Sequence, residues 1–172
     1  TSFKSANNCS LSLENDFDWS KTPVYIFVAT LPCSQYSYVE AFTNMTSESW
    51  ITAHQNAFKY FGGVPRILIP DNLKTGVERA SKYDPIINKV YQEMAEHYNT
   101  VVLPARVRKP RDKASAEGTV GNITTWIIAA LRNQQFFTLS EINKEVREKL
   151  DEFNARAFQK KPGSRLTAFM EE

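Results

Sequence analysis

Eight consecutive uncharged residues at 24–31, Val-Tyr-Ile-Phe-Val-Ala-Thr-Leu, constrain this chain more than any other segment. The run is too short for a membrane helix, which needs roughly 20 apolar residues. Its β-branched and aromatic content is that of a strand buried on both faces. Pro32, Cys33, Ser34 and Gln35 read as a turn, and residues 36–42 alternate as the return strand of a hairpin. A strand covered on both sides needs a layer of helices above and below its sheet, which points to an α/β fold.

The remaining segments supply those layers. Leu11, Leu13 and Phe17 alternate with polar residues and allow an earlier strand. Residues 47–60 have helical apolar spacing, with Ser47 available as a cap and Gly62 and Gly63 as a stop. A short apolar strand at 66–69 halts at Pro70, Asp71 and Asn72, and a polar loop follows at 75–83. A second helix is expected from Asp84 to about Tyr98, a strand at 101–103, and a third helix at 113–132. Ser140 is expected to cap a last helix running to about Phe153, with residues 156–172 extended. The resulting sheet is mixed, with three antiparallel strands and then two parallel ones, flanked by helices. Residues 1–155 read as one domain and 156–172 as a basic C-terminal extension or linker.

Composition narrows the functional classes. The 172 residues carry a net charge of +2, too small to specify a partner by itself. Cys9 and Cys33 make neither a disulfide framework nor a zinc set, and a reduced, cytoplasmic protein is expected. No signal-like segment opens the chain, and the missing initial Met suggests a piece of a longer protein. His54 and His97 read as packing or surface residues. Trp50, Phe58, Tyr60, Phe61, Trp126, Phe136 and Phe137 read as core residues rather than platforms for bases.

Two acids stand apart from this background. Asp71 lies where an apolar strand ends, the place at which open α/β sheets bind ligands; Pro-Asp-Asn is equally an ordinary turn. Glu117 opens a helix among Ala114, Ala116, Gly118 and Gly121, small neighbours that allow close approach to a sheet or a DNA backbone. A solvated acid near a helix start would look the same. Between them, five of the ten residues at 104–113 are basic: Arg106, Arg108, Lys109, Arg111 and Lys113. Lys74, Lys160, Lys161 and Arg165 extend this basic track. Basic side chains beside acids suit a site that holds metal ions against phosphates, and such a site draws its acids from separate elements.

These segments resemble the integrase-type catalytic core of IstA-type insertion-sequence transposases. The similar stretches include FVATLPCSQYSYVEAF (27–42), the PDNLK motif (70–74), LPARVRKPRDKASAEGTVGNI (103–123), LRNQQFFTLSEIN (131–143) and FNARAFQKKPGSR (153–165). The resemblance implies a ribonuclease H-like fold and an Asp-Asp-Glu triad. Asp71 would be the second acid and Glu117 the third, 46 positions later. The first is expected at Asp18, in Phe17-Asp18-Trp19-Ser20, where the alanine and glycine of the family motif are not both present. Asp16, or an acid preceding Thr1, are the alternatives. The implied cofactor is a pair of Mg2+ or Mn2+ ions. The implied partners are double-stranded DNA at transposon ends and target, an IstB-type helper ATPase, and further copies of the chain on DNA in the bacterial cytoplasm. A ribonuclease H-like nuclease and a catalytically incomplete DNA-binding or assembly fragment are the competing functional readings.

Overall fold

The computed structural model describes residues 2–3, 12–14, 21–70, 77–79, 86–87, 89–103 and 110–172, the first segments and 110–117 by backbone. In chain order these form β1 (Ser2–Phe3), β2 (Ser12–Glu14), β3 (Lys21–Pro23), β4 (Tyr25–Thr30), β5 (Ser37–Phe42), α1 (Ser47–Phe61), β6 (Ile67–Leu68), β7 (Val77–Arg79), β8 (Ile86–Ile87), α2 (Lys89–His97), β9 (Val101–Val102), α3 (Pro110–Leu131), α4 (Leu139–Ala155) and α5 (Arg165–Met170).

The uncharged run forms β4 and is buried on both faces. Phe27 meets Trp50 and His54 of α1, with ring centroids 5.6 and 5.1 Å apart. Its neighbours Ile26 and Val28 point to the opposite face and are only 1% and 0% exposed. β4 pairs antiparallel with β5 from Tyr25–Phe42 to Thr30–Ser37, and with β1 through Ser2–Thr30 and Phe3–Ala29. β6 and β9 form a separate parallel pair, and β1 comes beside β6.

Several expectations are corrected here. The third strand of the antiparallel ladder is Ser2–Phe3, whereas residues 12–14 pair with 21–23 in a hairpin of their own. The expected polar loop at 75–83 contains β7, which pairs with β8 across a bulge. β8 takes residues 86–87 out of the second helix, so α2 begins at Lys89. The third helix starts earlier than expected, at Pro110, where a missing N–H costs nothing.

Helix caps fall one or two residues before the expected ones. Thr46, not Ser47, caps α1 by accepting from the Ser49 N–H, and Gly62 ends it at φ +70°. Thr138, not Ser140, caps α4. Its hydroxyl accepts from the Glu141 N–H while the Glu141 carboxylate accepts from the Thr138 N–H, a reciprocal capping box.

α4 lies along β5 and is fastened to it by two asparagines. Asn154 accepts from the Ser37 N–H at 3.1 Å and donates to the Ser37 carbonyl at 2.8 Å. Asn143 accepts from the Ala41 N–H at 2.7 Å and donates to the Ala41 carbonyl at 3.0 Å. Each amide reproduces the donor and acceptor of a neighbouring strand. Ile142, Val146, Leu150 and Phe153 of α4 are buried, as are Val120, Ile123, Ile127 and Leu131 of α3. Both sets recur at the spacing of one helix face, so burial fixes the rotation of each helix.

The expected extended tail is likewise corrected. Ala157 bridges Ser164, the Phe158 N–H donates to the Gly163 carbonyl at 2.9 Å, and α5 follows under its own capping box. Phe169 stacks on Tyr36 with centroids 4.4 Å apart. Of the aromatics expected in the core, Trp50, Phe58 and Phe136 are buried, but Phe137 is 50% exposed.

Candidate metal and nucleic-acid site

β6 ends at Leu68, which is fully buried, and its ladder with β9 is extended by the Leu103 N–H donating to the Leu68 carbonyl at 2.8 Å. Pro70 is buried two residues later. Asp71, the next residue, lies outside the described residues, as does Lys74. The described chain thus runs up to Asp71 through a two-stranded parallel pair in which Leu68 is fully buried while Ile67 and Val101 are exposed.

Glu117 belongs to α3, seven residues after its first residue Pro110; its side chain lies outside what is described. The helix packs on β4 and α4. Position 117 lies 300° before Val120 at 100° per residue, so it flanks the buried stripe instead of facing away from it. Gly118 and Gly121 are exposed, and among the described residues nothing lies within 4 Å of a Cβ built at either. Of the two close approaches their size allows, to a sheet or to a DNA backbone, the first is not seen among the described residues.

Asp16 and Asp18 fall in residues 15–20, which join β2 to β3 and lie outside the described residues. The strand that lies beside both β4 and β6 is β1, and residues 1–4, Thr-Ser-Phe-Lys, contain no acid. Arg106, Arg108 and Lys109 also lie outside the described residues. Arg111 and Lys113 occupy the first turn of α3, described by backbone. Among the described residues no group of three His, Cys, Asp or Glu side chains could hold a metal ion.

The donor set nevertheless suits a hard divalent cation. Two carboxylates on separate segments would supply oxygen ligands and leave positions for water and phosphate, the coordination Mg2+ favours.

Beside these elements lies a buried polar unit whose histidine reads from the sequence as a packing or surface residue. His54 is 0% exposed. Its Nδ1 lies 2.8 Å from the Trp50 carbonyl, which can only accept, so Nδ1 carries the proton and Nε2 accepts from the Tyr91 hydroxyl at 3.1 Å. Burial lowers the His54 pKa from 6.5 to about 4, which keeps the ring neutral. This bond joins α1 to α2, the helix that feeds β9. The signal in the sequence was His54 falling on the apolar face of its helix.

Comparison with known proteins places these elements in a family. The model of the integrase core domain matches residues 14–110, which include Asp16, Asp18 and Asp71 and stop before Glu117. A Pseudomonas fluorescens protein named as a transposase for insertion sequence IS1162 is 43% identical over 145 residues, 84% of this chain and 26% of its own length. A Sinorhizobium fredii protein named as transposase y4uI is 38% identical over 148 residues, 86% of this chain and 29% of its own. The chain thus spans less than a third of either relative. Among solved structures, the HTLV-2 integrase catalytic core domain in complex with magnesium matches with a TM-score of 0.62 at 14% identity, covering 98% of this chain and 95% of that one.

Proposed function

Because this chain belongs to the integrase core domain family, we propose that it is the catalytic core of a DNA transposase, cutting transposon ends and joining them to target DNA. The reading is supported by the family match over residues 14–110, by the Asp71 position directly following the strand end at Leu68–Pro70, and by Glu117 lying on a helix whose rotation is fixed by its buried stripe. The antiparallel ladder and the β6–β9 pair would then make one sheet, joined where β1 runs beside β6.

In this reading Asp71 and Glu117 hold two divalent cations, Mg2+ or Mn2+, between them. When bound, the ions supply Lewis-acid stabilisation of the attacking and leaving oxygens in an in-line displacement at phosphorus. The two carboxylates position that site and set its charge. Arg106, Arg108, Lys109, Arg111, Lys113 and Lys74 hold DNA phosphates beside it. The first reaction uses water and the second uses the free 3′-OH of the transposon end, so no covalent intermediate on the protein is required. The resemblance adds an IstB-type helper ATPase and further copies of the chain as partners on DNA.

The first acid of the triad is proposed to be Asp18, with Asp16 as the alternative within this sequence. The position of β1 supports a competing reading. The strand between β4 and β6 bears no acid at residues 1–4, so the triad is completed either from the β2–β3 connection or by an acid outside this sequence. In the latter case this chain alone is an incomplete site.

Calorimetric titration with Mn2+ tests both parts. Asp71→Asn and Glu117→Gln are expected to weaken binding by more than about 100-fold, the upper end of what even a supporting residue costs. Equal titrations of wild type and Asp71→Asn would overturn the assignment. Asp18→Asn decides the third ligand: a loss comparable to that of Asp71→Asn assigns it to Asp18, and wild-type binding assigns it elsewhere.

A further inference from the structure

The loop and helix after α4 assemble an unusual set of cations. Arg156 lies over the Trp126 ring at 5.1 Å, Arg165 over Phe153 at 4.0 Å, and Lys161 over Phe158 at 3.9 Å. Arg165 is also 5.3 Å from the Phe158 ring and donates from an Nη to the Phe153 carbonyl at 3.3 Å. Lys160 stands exposed on the same loop. The Lys89–Glu93 and Lys149–Glu152 ion pairs, found among the described residues, do not involve this group.

Two further facts separate this group from a charge-neutral packing clasp. Arg156 and Arg165 are close enough that the charge of Arg156, after burial, helps lower the pKa of Arg165. The Arg165 Nε is buried with no hydrogen-bond partner among the described residues. Like charges held together with no acid ion-paired to them among the described residues cost free energy that a bound anion would return. The ring stacks also hold the guanidinium groups in place before any ligand arrives.

We propose that Arg156, Lys160, Lys161 and Arg165 form a phosphate-binding surface for the backbone of duplex DNA, separate from the carboxylate site. It rests on the DNA-processing reading above. Separation follows from α3 itself. Position 126 is nine residues beyond position 117, about 13.5 Å along the helix and roughly half a turn round it. The ligand class follows from chemistry. The surface offers N–H donors, and a cation already lies over each of these rings, an arrangement that favours phosphate contact over stacking by an unpaired base. Donors of this kind hold the phosphates of a duplex without reading its sequence.

Fluorescence anisotropy of a labelled random-sequence duplex of about 30 base pairs, titrated with the whole 172-residue chain across a salt series, tests the proposal. Lys160→Gln/Lys161→Gln changes two exposed side chains and gives up the Lys161 contact with Phe158, so its melting curve is read beside the slope. It is expected to flatten the dependence of log K on log salt by roughly 0.9 for each phosphate that is no longer neutralised, and Arg156→Gln by a further step. Arg165→Gln is read together with its melting curve. Unchanged slopes in the lysine and Arg156 variants, with Arg165→Gln lowering only the melting temperature, would show a structural clasp and overturn the proposal while leaving the catalytic reading intact. Absence of salt-dependent duplex binding by the wild type would overturn both.

Discussion

Replacing Asn154 by alanine removes one amide and strands two peptide groups. Asn154 is 2% exposed and Ser37 is 0% exposed, so water cannot take over the missing bonds. The Ser37 N–H loses its acceptor at 3.1 Å and the Ser37 carbonyl its donor at 2.8 Å. Asn154 also donates to the Tyr60 hydroxyl at 3.2 Å. A buried group left unsatisfied costs about 1–3 kcal/mol, so the two Ser37 groups together should cost about 3 kcal/mol. For a chain of this size that corresponds to a fall of about 6–12 °C in melting temperature. Urea denaturation followed by circular dichroism reads the free-energy change directly, and an unchanged m-value would show that the unfolded state is not the cause. Asn143→Ala should cost less, because Asn143 is half-buried and water can reach its partners. A loss below about 0.5 kcal/mol in Asn154→Ala would refute the argument that these amides stand in for a missing strand.

Two other perturbations follow from the fold. Thr138→Ala removes the hydroxyl half of the α4 capping box and should cost about 1 kcal/mol by urea denaturation, whereas Ser140→Ala should be near neutral. Equal effects would return the cap to Ser140. His54 has a folded-state pKa of about 4 against 6.5 for the ordinary group, so the unfolded chain binds its proton first as pH falls. Its share of stability is intact above pH 6.5 and is lost at about 1.4 kcal/mol per pH unit between 6.5 and about 4. His54→Gln should flatten that part of the stability profile; an identical profile would mean the ring is not the group titrating.

The β4–β5 hairpin and the long helices were legible because burial imposes a period on the sequence, and these elements are long enough to display it. β1, β6 and β9 have only two residues each, too few for any period, and exist because a neighbouring strand completes them. The shift of the α4 cap from Ser140 to Thr138 has a local cause. Both candidates are hydroxyl residues, but Thr138 alone has an acid three positions on that can reach back to its N–H. The tail differs from its extended expectation because its order comes from Phe169 stacking on Tyr36, more than a hundred residues away, which leaves no local signature. Of the candidate site, the acid-bearing motifs were legible through resemblance. The strand filling the position between β4 and β6 was not, since the alternation at 11–17 suggests a ladder strand while residues 12–14 pair with 21–23 instead.

The pairing of α4 with the last strand of the ladder bears on how such molecules meet one another. At Ser37 and Ala41, where a foreign strand would dock its backbone, both positions are already engaged by side chains of the same chain. Crowding of many copies onto one nucleic acid would otherwise invite runaway sheet growth, the route by which bare rims seed aggregates. At these two positions of β5 a second chain's strand would therefore find the donor and acceptor already occupied, so strand addition at Ser37 and Ala41 first requires the two asparagines to let go.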